Sequence, residues 1–274
     1  MANLFTVDNK MKNVLECRIE EILPYSTISS INAIIDKNDR IALITSMLLR
    51  FHSHLINKIV VLENNKSIGT VSDLDVLSGL TSNPKFEFFN NGIVEDIIDK
   101  DTIIVRSNTK ISSLLKELRD KNSEFAIIEN NKTGFSAISI NKLLQIGLLL
   151  NSSIKISDIS AKKYPSFKIT DSINEVISRM LHNNTSIAIL ENSSLFITAH
   201  MILEKIQNEL KYLQEVDDFM NLKINNFKLN QSVIISDNKT ISDMCKIMLN
   251  INQPHVMTET RILTPQDVII GLCS

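Results

Sequence analysis

Residues 61–75, VLENNKSIGTVSDLD, and residues 127–141, IIENNKTGFSAISIN, spell one phrase twice: an apolar run, an Asn-rich turn, a second apolar run, and a serine that opens the next segment. Looser copies follow as ILENSSLFITAHMI from Ile189 and VMTETRILTPQDVI from Val256. A phrase repeated at this scale marks a supersecondary unit that cannot bury its apolar face alone and is stacked on copies of itself.

Working outward, each phrase sits in the same order of elements: a short β-rich segment, an amphipathic helix, two strands joined by a tight turn, and a second helix. In the second copy these are TIIVRS (102–107), KISSLLKELRDKN (110–122), FAIIE (125–129), FSAIS (135–139) and INKLLQIGLLL (140–150). Apolar residues recur every three or four positions in the helical pieces, while the strands are short Ile/Val runs between Asn, Lys and Ser. The first copy reads NAIID, RIALITSMLLRFH, KIVVLE, SIGTVS and DLDVLSGL. The third reads SFKIT, SINEVISRMLHN, SIAILE, LFITA and HMILEKIQNELKYL, and the fourth SVIIS, TISDMCKIMLN, HVMTE, RILTP and QDVIIGL. Ser172 with Glu175, and Thr240 with Asp243, have the spacing of an N-cap and its N3 carboxylate, so two of the helix starts are signalled independently.

The interval from Ser72 to Thr198 nearly equals that from Ser139 to Thr264, as expected from duplication of a two-unit module. The polar stretch NSSI (151–154) is where two such modules would join. The sequence therefore predicts a leading helix over 1–23, a first module over 24–150 with units at about 24–81 and 94–150, and a second over 151–274 with units at about 155–213 and 217–274.

Composition narrows the function. The 274 residues are 43% hydrophobic and 22% charged, enough for one large domain or two ordinary ones. With 29 basic against 31 acidic residues and no long run of one sign, neither a nucleic-acid footprint nor a basic membrane patch is expected. Cys17, Cys245 and Cys273 lie far apart, offering no disulfide framework and no zinc spacing, which suits a reducing cytoplasm. The start, MANLFTVDNKMKNVLE, lacks a secretory pattern, and the longest apolar run, LLQIGLLL (143–150), is too short to span a bilayer.

The fourfold unit resembles the CBS domain family, named for cystathionine β-synthase, over roughly residues 24–274. The resemblance implies an α/β (α+β) fold of four β-α-β-β-α units, paired into two Bateman modules that form a disc-like, pseudo-symmetric assembly. It also implies a regulatory or sensor role without catalysis: an adenosine-containing ligand (AMP, ADP, ATP or S-adenosylmethionine) held in clefts between units, no required cofactor, and occupancy passed to a protein partner. The chain would be a monomer or homodimer, with no nucleic-acid or membrane partner. A ligand-free interaction scaffold is the rival reading.

In that family a Ser or Thr ends the third strand and an Asp follows three residues later. The first copy keeps this pattern as Ser72 and Asp75, with Gly69 before them, and the fourth as Thr264 and Asp267, with Arg261 at the glycine position. The second has Ser139 but Lys142, and the third Thr198 but Met201. A hydroxyl can bond a phosphate or ribose oxygen, and a carboxylate can accept from both hydroxyls of a ribose diol. The alternative for both acids is helix capping alone. Lys58 and His255 open equivalent strands and are candidates to reach phosphate, with a solvated surface lysine the alternative for Lys58. Ile35, Val71, Ile235 and Ile262 are candidates for an apolar slot around the base, with core packing as the alternative.

Other constellations carry less chemistry. His52 and His54 would point about 200° apart on a helix and so would not share a metal. His182 and His200 have no ligand partners at suitable spacing, and Cys245 lies inside an apolar helix. Six glycines form no phosphate loop, which disfavours kinases, dehydrogenases and NTP hydrolases.

Overall fold

The computed structural model describes residues 14–22, 34–130, 134–160, 162–209, 219–259 and 261–273. Unit 1 comprises β1 (Ile34–Asp36), α2 (Ile41–Phe51), β2 (Lys58–Glu63), β3 (Lys66–Ser72) and α3 (Asp73–Ser82). Unit 2 comprises β4 (Ile103–Arg106), α5 (Ile111–Asp120), β5 (Ala126–Asn130), β6 (Gly134–Ile138) and α6 (Ile140–Leu149). Unit 3 has β7 (Ser166–Phe167), α7 (Ile173–His182), β8 (Ile187–Leu190), β9 (Leu195–Thr198) and α8 (Ala199–Asn208). Unit 4 has α9 (Ile241–Ile251), β11 (Val256–Met257), β12 (Ile262–Leu263) and α10 (Pro265–Leu272). A short helix, α4 (Phe86–Asn91), links units 1 and 2 and adds Phe88 and Phe89 to the core.

In units 1 to 3 the first strand runs parallel to the second, and the second antiparallel to the third. Asn64 and Asn65 both take positive φ between β2 and β3, where Asn tolerates the left-handed backbone of a two-residue hairpin turn. Unit 4 differs from the sequence expectation. Val233–Ile235 bond to Met257 only through Ile235 N to Met257 O (2.7 Å) and Met257 N to Val233 O (2.8 Å). The preceding β10 (Asn230–Gln231) instead joins unit 3, antiparallel to β9. The same crossing recurs in the first module, where Thr70 and Asp99 exchange backbone bonds at 3.0 and 2.9 Å.

Each pair of units also exchanges its leading turn. Ile19 and Ile22, in the single-turn helix α1 (Ile19–Ile22), enter the core of unit 2, and Ile111 N, the first amide of α5, donates to Cys17 O at 3.0 Å. Correspondingly, Ile41 N donates to Gly92 O, Ile173 N to Leu222 O and Ile241 N to Ile154 O. A leader thus satisfies an orphan amide at the start of its neighbour's first helix. The helix expected over 1–23 is, where described, a 3-10 turn at Val14–Glu16 followed by α1; residues 1–13 and 23 lie outside the described residues.

Two cores join the modules. Units 1 and 3 share one that runs through Ile44, Leu77, Leu80, Val176, Ile202 and Leu203. A second joins unit 2 to unit 4 through Leu144, Ile156, Met244, Cys245 and Val268. Burying one such side chain contributes about 1.5–3 kcal/mol, so the shared faces hold the two modules together. Close approach is needed at Gly147, where a Cβ would lie 2.5 Å from Cys245 Sγ. Cys245 is therefore core, as its helical spacing suggests. The N-caps expected at Ser172 and Thr240 are formed, with Ser172 Oγ accepting from Glu175 N at 3.2 Å and Thr240 Oγ1 from Asp243 N at 3.1 Å.

At Gly69 the leader of unit 2 lies directly on β3, and a Cβ there would meet Asp99 O at 2.5 Å. Gly69→Ala is therefore expected to destabilise the protein by about 1–3 kcal/mol in urea unfolding, the usual cost of overpacking; an unchanged midpoint would show that the crossing is not tight.

Candidate ligand-binding site

The second helices point their N-termini at one another. Ser72 of α3, Ile140 of α6, Thr198 of α8 and Thr264 of α10 all line one cavity of about 970 Å³. This follows from the core pairing: helices packed unit on unit across the modules bring the ends of all four third strands to the middle.

Ser72 ends β3 and caps α3. Its backbone amide and its hydroxyl both donate to Asp75 Oδ2, at 2.8 and 2.6 Å. Asp75 Oδ1 has no hydrogen-bond partner among the described residues. Burial raises the Asp75 carboxyl above its usual range, against the opposing pull of the Ser72 hydroxyl and Lys58. Capping and an open acceptor therefore coexist in one side chain. Lys58 lies beside it but is bound by Asp99 Oδ2 at 2.9 Å. Burial pushes the Asp99 carboxyl up, but the Lys58 ammonium outweighs it and holds the acid below its ordinary range.

The fourth unit presents the same residue types in a closed state. Asp267 is 0% exposed. Its Oδ2 accepts from Thr264 N at 2.7 Å, and Lys162 N reaches Oδ1 at 3.4 Å. Tyr164 lies over the pair, its hydroxyl 2.7 Å from Thr264 Oγ1 and 3.5 Å from Asp267 Oδ2. It comes from the leader of unit 3, the counterpart of the segment that brings Asp99 to unit 1. Arg261, at the position of Gly69, donates to the carbonyls of Ile156 and Ile159 and so ties down another stretch of the leader that unit 4 receives.

His255 lines the cavity and packs edge-to-face on Phe196 with ring centroids 4.5 Å apart. Burial, then repulsion from His52, pushes its imidazole down to about 3. His52 stacks on His200 at 3.5 Å, and His200 Nδ1 lies 3.2 Å from Asp73 Oδ2, a contact that crosses from unit 1 to unit 3. Burial, with His200 as a lesser cause, lowers His52 to about 4. Ile35 and Val71 are buried in the core of units 1 and 3, Ile235 in that of units 2 and 4, and Ile262 against Ile187 and Phe196. None of the four lines the cavity, whose apolar walls include Ile56, Ile98 and Ile140 instead. Lys142, in the Asp position of unit 2, bonds to Gln145 Oε1 at 3.0 Å. Among the described residues no cluster of three or more His, Cys, Asp or Glu side chains could hold a metal ion, and no helix is long and apolar enough to cross a membrane.

Sequence reasoning missed Tyr164, Asp73, His200 and Glu124. Glu124 precedes β5 and accepts from Gln266 N at 3.1 Å. Position supplied the signal, since Asp73 directly follows Ser72 and His200 lies two residues after Thr198.

This architecture matches that of protein MJ1225 from Methanocaldococcus jannaschii, proposed to be an archaeal homolog of g-AMPK, with a TM-score of 0.74 at 16% identity over 92% of this chain and 98% of that one. An uncharacterized conserved protein from Pyrococcus horikoshii aligns with a TM-score of 0.51 at 9% identity, covering 78% of this chain and 89% of its own. The CBS-domain containing protein ATU1752 from Agrobacterium tumefaciens aligns with half of this chain, 50%, and 98% of its own, at 15% identity and a TM-score of 0.40. No protein-family model and no curated protein matches the sequence. The fold is that of CBS-domain proteins with tandem modules, a mixed α/β architecture.

Burial raises the Glu124 carboxyl to about 7 from 4.5, outweighing the Gln266 amide that favours its charge. The folded state thus holds this proton more tightly than the unfolded chain, so the cost of Glu124 appears as pH rises from about 4.5 and is complete above about 7. Glu124→Gln is expected to gain stability relative to the parent at pH 8 but not at pH 4 in paired urea melts; a pH-independent difference would contradict this.

Proposed function

We propose that the chain is a regulatory protein that binds an adenosine-containing ligand in the central cavity, with the ribose diol on Asp75. The observation that carries this reading is Asp75 Oδ1, a carboxylate oxygen left open beside a cavity of about 970 Å³ while its twin oxygen holds the helix cap. A carboxylate so placed accepts from both ribose hydroxyls and discriminates against ligands that lack them. The fold shared with protein MJ1225 is in keeping with this role.

The cavity wall combines both modules, as the contact of Asp73 with His200 illustrates. A ligand seated there favours one relative placement of the modules, and a protein partner that reads that placement is regulated by linkage, within the ligand's differential affinity for the two states. Residues from several units meet at the site, and the hydroxyls that contact its carboxylates, Ser72 and Thr264, do so within helix caps, so we assign the site to recognition.

One open site is proposed, not the two that the sequence suggests, because Tyr164 takes the place of a sugar hydroxyl over Thr264 and Asp267. The same observation, with Lys142 and Met201 in the other two units, is what favours the rival scaffold reading. Calorimetric titration of the full chain with adenosine and AMP separates the two. Asp75→Asn is expected to weaken binding about 10- to 100-fold, the worth of a charge-assisted hydrogen bond, whereas Asp267→Asn leaves the affinity within about twofold. Heat from neither compound favours the scaffold, and equal loss in both variants overturns the assignment to Asp75.

A further inference from the structure

Recognition of a polyphosphate needs unpaired cations. Lys58 is bound to Asp99 at 2.9 Å and Lys121 to Asp101 at 3.1 Å, so two of the cavity's three lysines are already neutralised. The third, Lys162, donates from Nζ to the neutral Asn184 O at 3.2 Å, and its charge is offset only through space by Glu124 and Asp267. His255 and His52 are neutral at pH 7, held down to about 3 and about 4 by burial. The same cavity is lined by the carboxyls of Asp73, Asp75, Glu87 and Asp96, while Glu124, raised to about 7 by burial, is only partly ionised at pH 7.

Three buried atoms of the wall have no partner among the described residues, and all are acceptors: Asn57 Oδ1, Asp73 Oδ1 and Gln266 Oε1. Asp73 Oδ1 is buried without a hydrogen bond, as is Oε1 of Gln266, a residue only 4% exposed that lines the cavity. An unpaired buried acceptor is costly, more so when it is charged, and a donor from a ligand removes that cost. Of the four converging helix ends, those of α3 and α10 already meet the Asp75 and Asp267 carboxylates, and His200 in the first turn of α8 contacts Asp73, which among the described residues leaves α6 as the end without an acid in contact.

We propose that the cavity selects an adenosine ligand with a cationic 5′ substituent and disfavours di- and triphosphates, with Asp73 as the specificity-determining residue. This rests on the reading that an adenosine ligand binds here at all. The test is a calorimetric series on the full chain at pH 7 and fixed salt with four probes: 5′-amino-5′-deoxyadenosine, adenosine, AMP and ATP. The amine is expected to bind tightest and ATP at least about tenfold more weakly, the scale set by like charges in a partly buried site. Asp73→Asn is expected to narrow that gap.

ATP binding as tightly as the amine overturns the charge selection but leaves the ribose reading standing. Binding by none of the four overturns both. A gap unchanged in Asp73→Asn removes Asp73 from the role, and the series on the parent chain stands whether or not that variant folds.

Discussion

Everything at the centre of this protein depends on helices from one module packing against helices of the other. Unit 1 covers its apolar helical face with unit 3, and unit 2 with unit 4, in shared cores that hold Leu77 with Leu203 and Leu144 with Met244. Because the second helix of each unit begins where its third strand ends, that packing drives four strand ends into one space. A cavity between them is what remains when the helices are close-packed and the strand ends cannot be. The site is therefore a product of the repeat rather than of any single unit.

Exchange of leaders gives each module its unity. The carbonyls of Cys17, Gly92, Ile154 and Leu222 each meet the first amide of a neighbouring unit's helix, and an apolar side chain follows each into that unit's core. The leaders also bring different residues to equivalent places. Asp99 arrives beside Asp75 and binds Lys58, while Tyr164 arrives above Asp267 and closes it. Two acids that share motif, cap and spacing are thereby given different fates by the leaders that reach them, one of them 103 residues away in sequence.

The repeat was legible because patterning is local: strand and helix periods, the Asn turn and the caps at Ser172 and Thr240 all lie within a few residues of one another. The fold class and the tandem arrangement follow from four such copies. The first strand expected for unit 4, SVIIS, meets the expected strand but only as a single parallel bridge between Ile234 and Met257, because Ile/Val content marks extended chain and not the length of the ladder it forms. Ile35, Val71, Ile235 and Ile262, which the resemblance makes candidates for a base slot, are core residues outside the lining of the central cavity. Burial against an absent ligand and burial against a neighbouring helix leave the same mark in a sequence. Tyr164, Asp73 and His200 were unreadable for the complementary reason: their meaning lies wholly in contacts between distant units.

The central claim is that Asp75 receives a ribose diol inside a cavity built by both modules. A crystal structure of the full chain grown with saturating adenosine tests it most directly. The account predicts the 2′ and 3′ hydroxyls within hydrogen-bond distance of Asp75 Oδ1, with Tyr164 still seated on Thr264. Adenosine found elsewhere on the surface, or a central cavity empty at saturation, would contradict it.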